Sequence, residues 1–89
     1  MSYEWEIKPS CQEDIKKFCK KNHILEKVIS NKIKEIIENP QHYKPLRYGL
    51  AGERRVHILK SFVLIFEINE EERLVTFILF AHHDDAYRR

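Results

Sequence analysis

Glycine and proline are scarce in this chain, with two Gly and three Pro among 89 residues. That excludes flexible linkers, low-complexity tracts and repeat arrays. Cysteine is sparse as well, limited to Cys11 and Cys19. On one helix the two would be separated by about 12 Å of rise, farther than a disulfide can span. Both are therefore read as reduced thiols, Cys19 in the core and Cys11 near the surface. Long apolar runs are missing too. The longest, Leu74 to Ala81, is interrupted by Thr76, and a spanning helix needs roughly 20 apolar residues. No apolar leader opens the chain, because Tyr3, Trp5 and Ile7 alternate with Glu4, Glu6 and Lys8. A soluble, cytoplasmic protein with no membrane segment is expected.

The chain has the length of one small domain, residues 1–89. A domain of this size buries only about 60% of its unfolded surface, so a partner that adds burial would help it. Charge of one sign is not in large excess, since the net value is +2. Its distribution is uneven, however. Residues 44–60 carry Lys44, Arg47, Arg54, Arg55 and Lys60 against Glu53 alone, whereas residues 61–89 carry more acids than bases. A local stripe of one sign attracts a polyanion.

The hydrophobic period changes along the chain. Tyr3 to Ile7 alternates as a half-buried strand that Pro9 ends. Ser10 to Glu13 has the spacing of a capping box and opens a helix with Ile15, Phe18 and Cys19 on one face. After Asn22-His23, a second helix runs from Ile24 to Glu38, with Leu25, Val28, Ile29, Ile33, Ile36 and Ile37 forming one stripe. Asn39-Pro40 stops it. From Pro45 the period becomes two. Strands are read at Arg54–Leu59, Ser61–Ile68 and Arg73–His82, with a polar turn at Asn69–Glu72. The last strand is apolar on both faces, which places it inside the sheet. The class is α+β in the order β-α-α-β-β-β: an N-terminal strand, a helix hairpin, then an antiparallel sheet.

Chemistry concentrates in the second half. Arg55 and His57 are two apart in a strand and share a face, while Val56 and Ile58 take the other. Arg54 and Lys60 add charge at the strand's ends. His82 and His83 are adjacent, so only one of them can share a site with His57. Consecutive residues rarely converge on one ion, and neither a metal nor another cofactor is expected. Tyr43 and Tyr48 are read as packing aromatics. There is no Gly-rich phosphate loop, serine elbow or cysteine-nucleophile context. Imidazole, guanidinium and phenol would suffice to cleave RNA. A base frees the ribose 2′-OH to attack the adjacent phosphate, cations steady the developing charge, and an acid protonates the leaving oxygen.

The run Pro45 to Ile58, with Arg54-Arg55-Val56-His57 at its centre, resembles the basic second strand of RelE-type toxins. Ser61 to Ile68 resembles their next strand, and Phe80 to Tyr87 resembles their ending. The likeness spans essentially the whole chain and implies a RelE-like fold. It further implies a bacterial or archaeal mRNA interferase, a ribosome-dependent endoribonuclease that cuts message in the A site and is silenced by a RelB-like antitoxin. Arg55 and His57 then occupy positions of strand cations, His83 stands where an Arg is common, and Tyr87 matches a C-terminal Tyr that stacks on a base. His57, His82 and His83 remain alternatives for base and acid. Lys44, Arg47, Arg54 and Lys60 would bind messenger or ribosomal phosphates. Many relatives carry an Arg where this chain has Val63. ParE-type toxins, which poison gyrase without cutting, share the scaffold.

Overall fold

In the computed structural model, which describes residues 2–45 and 53–86, the N-terminal alternation forms β1 (Glu4–Ile7). Pro9 does not simply end this strand. It opens α1 (Pro9–Cys19), with Lys8 as N-cap and no side-chain cap. The expected capping box at Ser10 is thus absent. Proline suits the first helical position, where its fixed φ is already helical and its missing N–H would have had no partner. Cys11 consequently falls in the first turn and faces the sheet, only 1% exposed, rather than lying near the surface. Cys11, Ile15, Phe18 and Cys19 form one helical stripe, and both thiols are free. Burial, then the Asp14 carboxylate, pushes the Cys11 thiol up to about 12.

The second helix, α2 (His23–Glu38), starts at Asn22, whose side-chain oxygen accepts from the Leu25 amide at 3.0 Å. Leu25, Ile29, Ile33 and Ile36 form its buried stripe. A 3₁₀ turn (Pro40–His42) follows. The remaining elements are β2 (Glu53–Ile58), β3 (Phe62–Asn69), β4 (Leu74–His82) and the single helical turn α3 (His83–Ala86).

The α+β order is the one read from the sequence, but the sheet is mixed rather than purely antiparallel. Strands run β1-β4-β3-β2. The β2-β3-β4 meander is antiparallel, while β1 joins β4 in parallel. The reason is the helix hairpin: it carries the chain from β1 to the far edge, and the meander walks back until β4 meets β1. As expected, β4 is an interior strand.

The helices cover one face of the sheet. Leu64, Phe66, Val75, Phe77 and Phe80 lie fully buried there with Ile58, Leu25 and Ile36. Phe66 pairs with Phe77 but Ile65 with Leu79, so Ile78 is the extra residue of a β-bulge. The bulge shifts the alternation, placing both Phe77 and Phe80 under the helices. Trp5, which the alternation puts on the apolar face with Tyr3 and Ile7, is 45% exposed because it sits on the outermost strand, edge-on to Phe77 at 5.9 Å.

Six strand boundaries differ by one residue from those expected, and two of them have a backbone cause. Leu59 (φ 56°) and Arg73 (φ 50°) enter the left-handed region and leave the strands. Arg73 N–H donates to the Glu70 carbonyl at 3.4 Å, closing the β3–β4 turn. Its guanidinium stands over the Tyr3 ring, 4.3 Å from the centroid.

Candidate active site

The open face of the sheet is formed by the residues that alternate with the core set. On β2 these are Glu53, Arg55 and His57, which pair with Glu67, Ile65 and Val63 of β3. Val63 and Ile65 form a small buried cluster with Leu79 and Ala81 packed against it. Val63, which stands where many RelE-type toxins carry an Arg, is therefore part of an apolar pad and is fully buried. His57 lies opposite Val63, and Val63 opposite Ala81.

At the end of this pad two imidazoles meet. The rings of His57 and His83 stack at 5.6 Å with an interplanar angle of 23°. They are 26 residues apart in sequence and come together because the His83 amide bonds the Ser61 carbonyl at 2.7 Å. That bond ties the start of α3 to the β2–β3 turn. His83 Nδ1 lies 3.7 Å from Asp84 Oδ1. His82 points the other way, edge-on to Phe62 at 5.9 Å, and its Nδ1 accepts from the Asp84 amide at 3.5 Å. Of the two adjacent histidines, His83 is the one that joins His57.

The neighbouring arginines also part company. Arg55 shares the open face with His57. Arg54 points to the helix side and is committed to the chain itself. One terminal nitrogen donates to the Tyr43 carbonyl at 2.6 Å and the other to Gln41 Oε1 at 3.2 Å. Gln41 in turn donates to Glu70, which accepts the Tyr3 hydroxyl at 2.7 Å. Arg54, expected on phosphates, is instead the strut that fixes the 40–45 segment to β2. Lys60 is exposed in the β2–β3 turn, and Lys44 is exposed beside the edge of β2. Arg47, Tyr48 and Tyr87 lie outside the described residues. Among the described residues no group of three or more His, Cys, Asp or Glu is placed to hold a metal ion.

His42 belongs to no motif of the sequence. It faces a groove of about 380 Å³ lined by His42, Tyr43, Lys44, Arg55, Val56 and His57. Tyr43 anchors this wall to the core, edge-on to Phe66 at 5.8 Å, so its ring packs as expected. Burial, then Glu35, raises its phenol pKa. The one sequence signal for His42 was its position two residues before Lys44, in a segment of no regular period.

These features describe a small α+β domain with an imidazole pair and cations on one exposed sheet face. Residues 6–87 match the family described as ParE toxin of type II toxin–antitoxin system, parDE. The chain is 45% identical to a Methanocaldococcus jannaschii protein named "Putative toxin RelE4", over 98% of this chain and 93% of the relative. Among solved structures it resembles the isolated Escherichia coli RelE toxin, with a TM-score of 0.75 at 17% identity, covering 91% of this chain and 84% of that one. It also resembles a chain of the E. coli DinJ-YafQ toxin–antitoxin complex, with a TM-score of 0.77 at 18% identity over 98% and 99% of the two chains. A YoeB/ParE toxin from Agrobacterium tumefaciens superposes with a TM-score of 0.78 at 14% identity, over 90% and 98%. The chain belongs to the ParE toxin family of type II toxin–antitoxin systems, within the RelE/ParE superfamily.

Proposed function

We propose that this toxin is a ribosome-dependent, metal-independent mRNA endonuclease that arrests translation in the cytoplasm. The observation that carries the reading is the stacked His57–His83 pair beside Arg55. One imidazole takes the proton of the ribose 2′-OH. The 2′-oxygen attacks the adjacent phosphorus, the bond to the 5′-oxygen breaks, and the second imidazole donates a proton to that oxygen. The products are a 2′,3′-cyclic phosphate and a free 5′-hydroxyl. An imidazole gains or loses a proton near neutral pH, so the pair can supply both roles. Arg55 holds the phosphate and opposes the charge that grows on it. His82 takes a structural place on Phe62 rather than a step in the reaction. Tyr87 stacks on the base, and Lys44, Arg47 and Lys60 bind backbone phosphates irrespective of sequence. The partner is a RelB-like antitoxin, in line with the solved complexes of the similar toxins.

The test is cleavage of mRNA on translating ribosomes by the purified toxin. His57→Ala and His83→Ala should each remove most of the activity, and Tyr87→Phe should lower it. Equal cutting by wild type and all three variants overturns the assignment.

A second reading is a ParE-like toxin that binds and poisons DNA gyrase without cutting nucleic acid. The matched family carries that name, and the apolar Val63 pad withholds a cation from the open face. It predicts toxicity that survives His57→Ala and shows as DNA damage.

A further inference from the structure

The groove between the 42–44 segment and the edge of β2 shares Arg55 and His57 with the proposed reaction, but its other wall, His42, Tyr43 and Lys44, takes no part in the proton transfers. Its lining is nonetheless selective. Lys44 and Arg55 are cations, His42 and His57 are imidazoles, Tyr43 is aromatic and Val56 aliphatic; among the described residues no carboxylate lines it. Its volume of about 380 Å³ lies at the lower end of the range of small-ligand pockets.

The wall of the groove is held from several directions. Arg55 N–H donates to the Lys44 carbonyl at 3.3 Å, and Pro45 bridges Arg54 across the same edge. Arg54 grips the Tyr43 carbonyl from below. The His42 and Tyr43 amides bond the Asn39 and Pro40 carbonyls. A site fixed before the ligand arrives loses less ordering entropy on binding.

The two imidazoles of the groove have different surroundings. His57 turns one side to His83 and also lines the groove, so it stands where the groove meets the imidazole pair. His42 meets Tyr43 edge-on, at 5.3 Å and 86°, and is exposed. An exposed planar ring and two cations in one lining match a ligand with a flat base and a phosphate.

We infer that this groove is a nucleotide subsite: Lys44 takes the phosphate of the nucleotide next to the cut and the His42 ring contacts its base, while Arg55 keeps the scissile phosphate. The inference rests on the RNA-cleaving reading for what the subsite serves, but binding can be read without cleavage. The RNA strand would enter along the β2 edge, pass His57, and present its next phosphodiester to the His57–His83 pair.

The probe is adenosine 5′-monophosphate, titrated into the full-length toxin while the imidazole ring signals are followed by NMR. Histidine-to-glutamine variants assign the signals. His42 and His57 should shift along one saturation curve. His23, at the far end of α2 and roughly 24 Å along that helix from the groove, should not move. His42→Ala should weaken nucleotide binding about tenfold and leave inorganic phosphate binding within about twofold. His42→Phe, which keeps a flat ring, should restore most of it. In the ribosome assay His42→Ala should raise KM with kcat unchanged.

Equal affinity for inorganic phosphate and the nucleotide would overturn the base contact and leave a bare anion site. Shifts confined to His82 and His83 would overturn the groove altogether, as would tighter competition by an acidic peptide than by the nucleotide. If the nucleotide fails to bind while cleavage still depends on His57 and His83, the groove falls and the nuclease stands. If it binds and the wild-type toxin cuts no message, the nuclease falls and the groove stands.

Discussion

The two faces of the sheet are made from the same strands and behave as different materials. The helix-covered face stacks Leu64, Phe66, Phe77 and Phe80 against α1 and α2 with almost no exposed surface. The other face has an apolar pad only around Val63 and Ile65, bordered by Arg55, His57 and His83. Period-two alternation allows this division, because one strand can donate stability from its even residues and chemistry from its odd ones. The contrast is sharpest at Arg54 and Arg55. Adjacent in sequence and alike in charge, they serve opposite sides: one braces a loop, the other lines the groove.

That contrast can be broken by substitution. The largest effect should be on activity from the open face. His57→Ala should reduce message cleavage by about 10²- to 10⁴-fold, the usual worth of a general acid or base. Its urea midpoint should stay close to wild type, because the side chain is exposed. If the midpoint falls instead, His57 belongs to the fold and the division between faces fails. On the covered face Phe77→Ala should cost about 3–5 kcal/mol of stability, read from equilibrium urea unfolding. For a domain this small that is a large share of the total.

The arginine pair should separate next. Arg54→Ala removes the bonds to Tyr43 and Gln41 and should cost about 2 kcal/mol. Arg55→Ala should cost less stability and more activity. Equal losses on both measures would erase the distinction between strut and site.

Cys11 offers a pH test of the covered face. Its thiol stays protonated in the fold up to about 12, against an ordinary 9.0. The unfolded chain releases this proton first, so Cys11 leaves stability unchanged below pH 9 and lowers it as pH rises beyond, by about 1.4 kcal/mol per pH unit. Cys11→Ala should flatten the stability–pH curve there, measured by denaturant titrations at pH 8 to 10; an unchanged slope would mean the thiol is not sealed off. The smallest effect concerns Leu59, which adopts φ 56° with its side chain 50% exposed. Leu59→Gly removes the left-handed penalty and should raise stability by up to about 1 kcal/mol, visible as a higher Tm.

Much of the fold is legible in the order of the residues. The helix stripe at Leu25, Ile29, Ile33 and Ile36, the change of period after Pro45, and the inner position of β4 all follow from local pattern. The sharing of a face by Arg55 and His57 follows from strand geometry alone. The burial of Cys11 is legible too, since it stands four, seven and eight residues before Ile15, Phe18 and Cys19, but the apparent capping box at Ser10 masks the claim of Pro9 to the helix start. Trp5 is misplaced by its pattern because alternation says which side a residue faces, not whether its strand lies at an edge.

Residue order therefore determined the elements, their faces and the site's chemical inventory, because periodicity and propensity act within a few residues. Partners distant along the chain were decided only by packing. The parallel docking of β1, the bulge at Ile78, the choice of His83 over His82, the internal use of Arg54 and the appearance of His42 in a groove all depend on contacts between segments. Such contacts form when burial of one face closes the chain on itself, and no window of neighbouring residues contains that information.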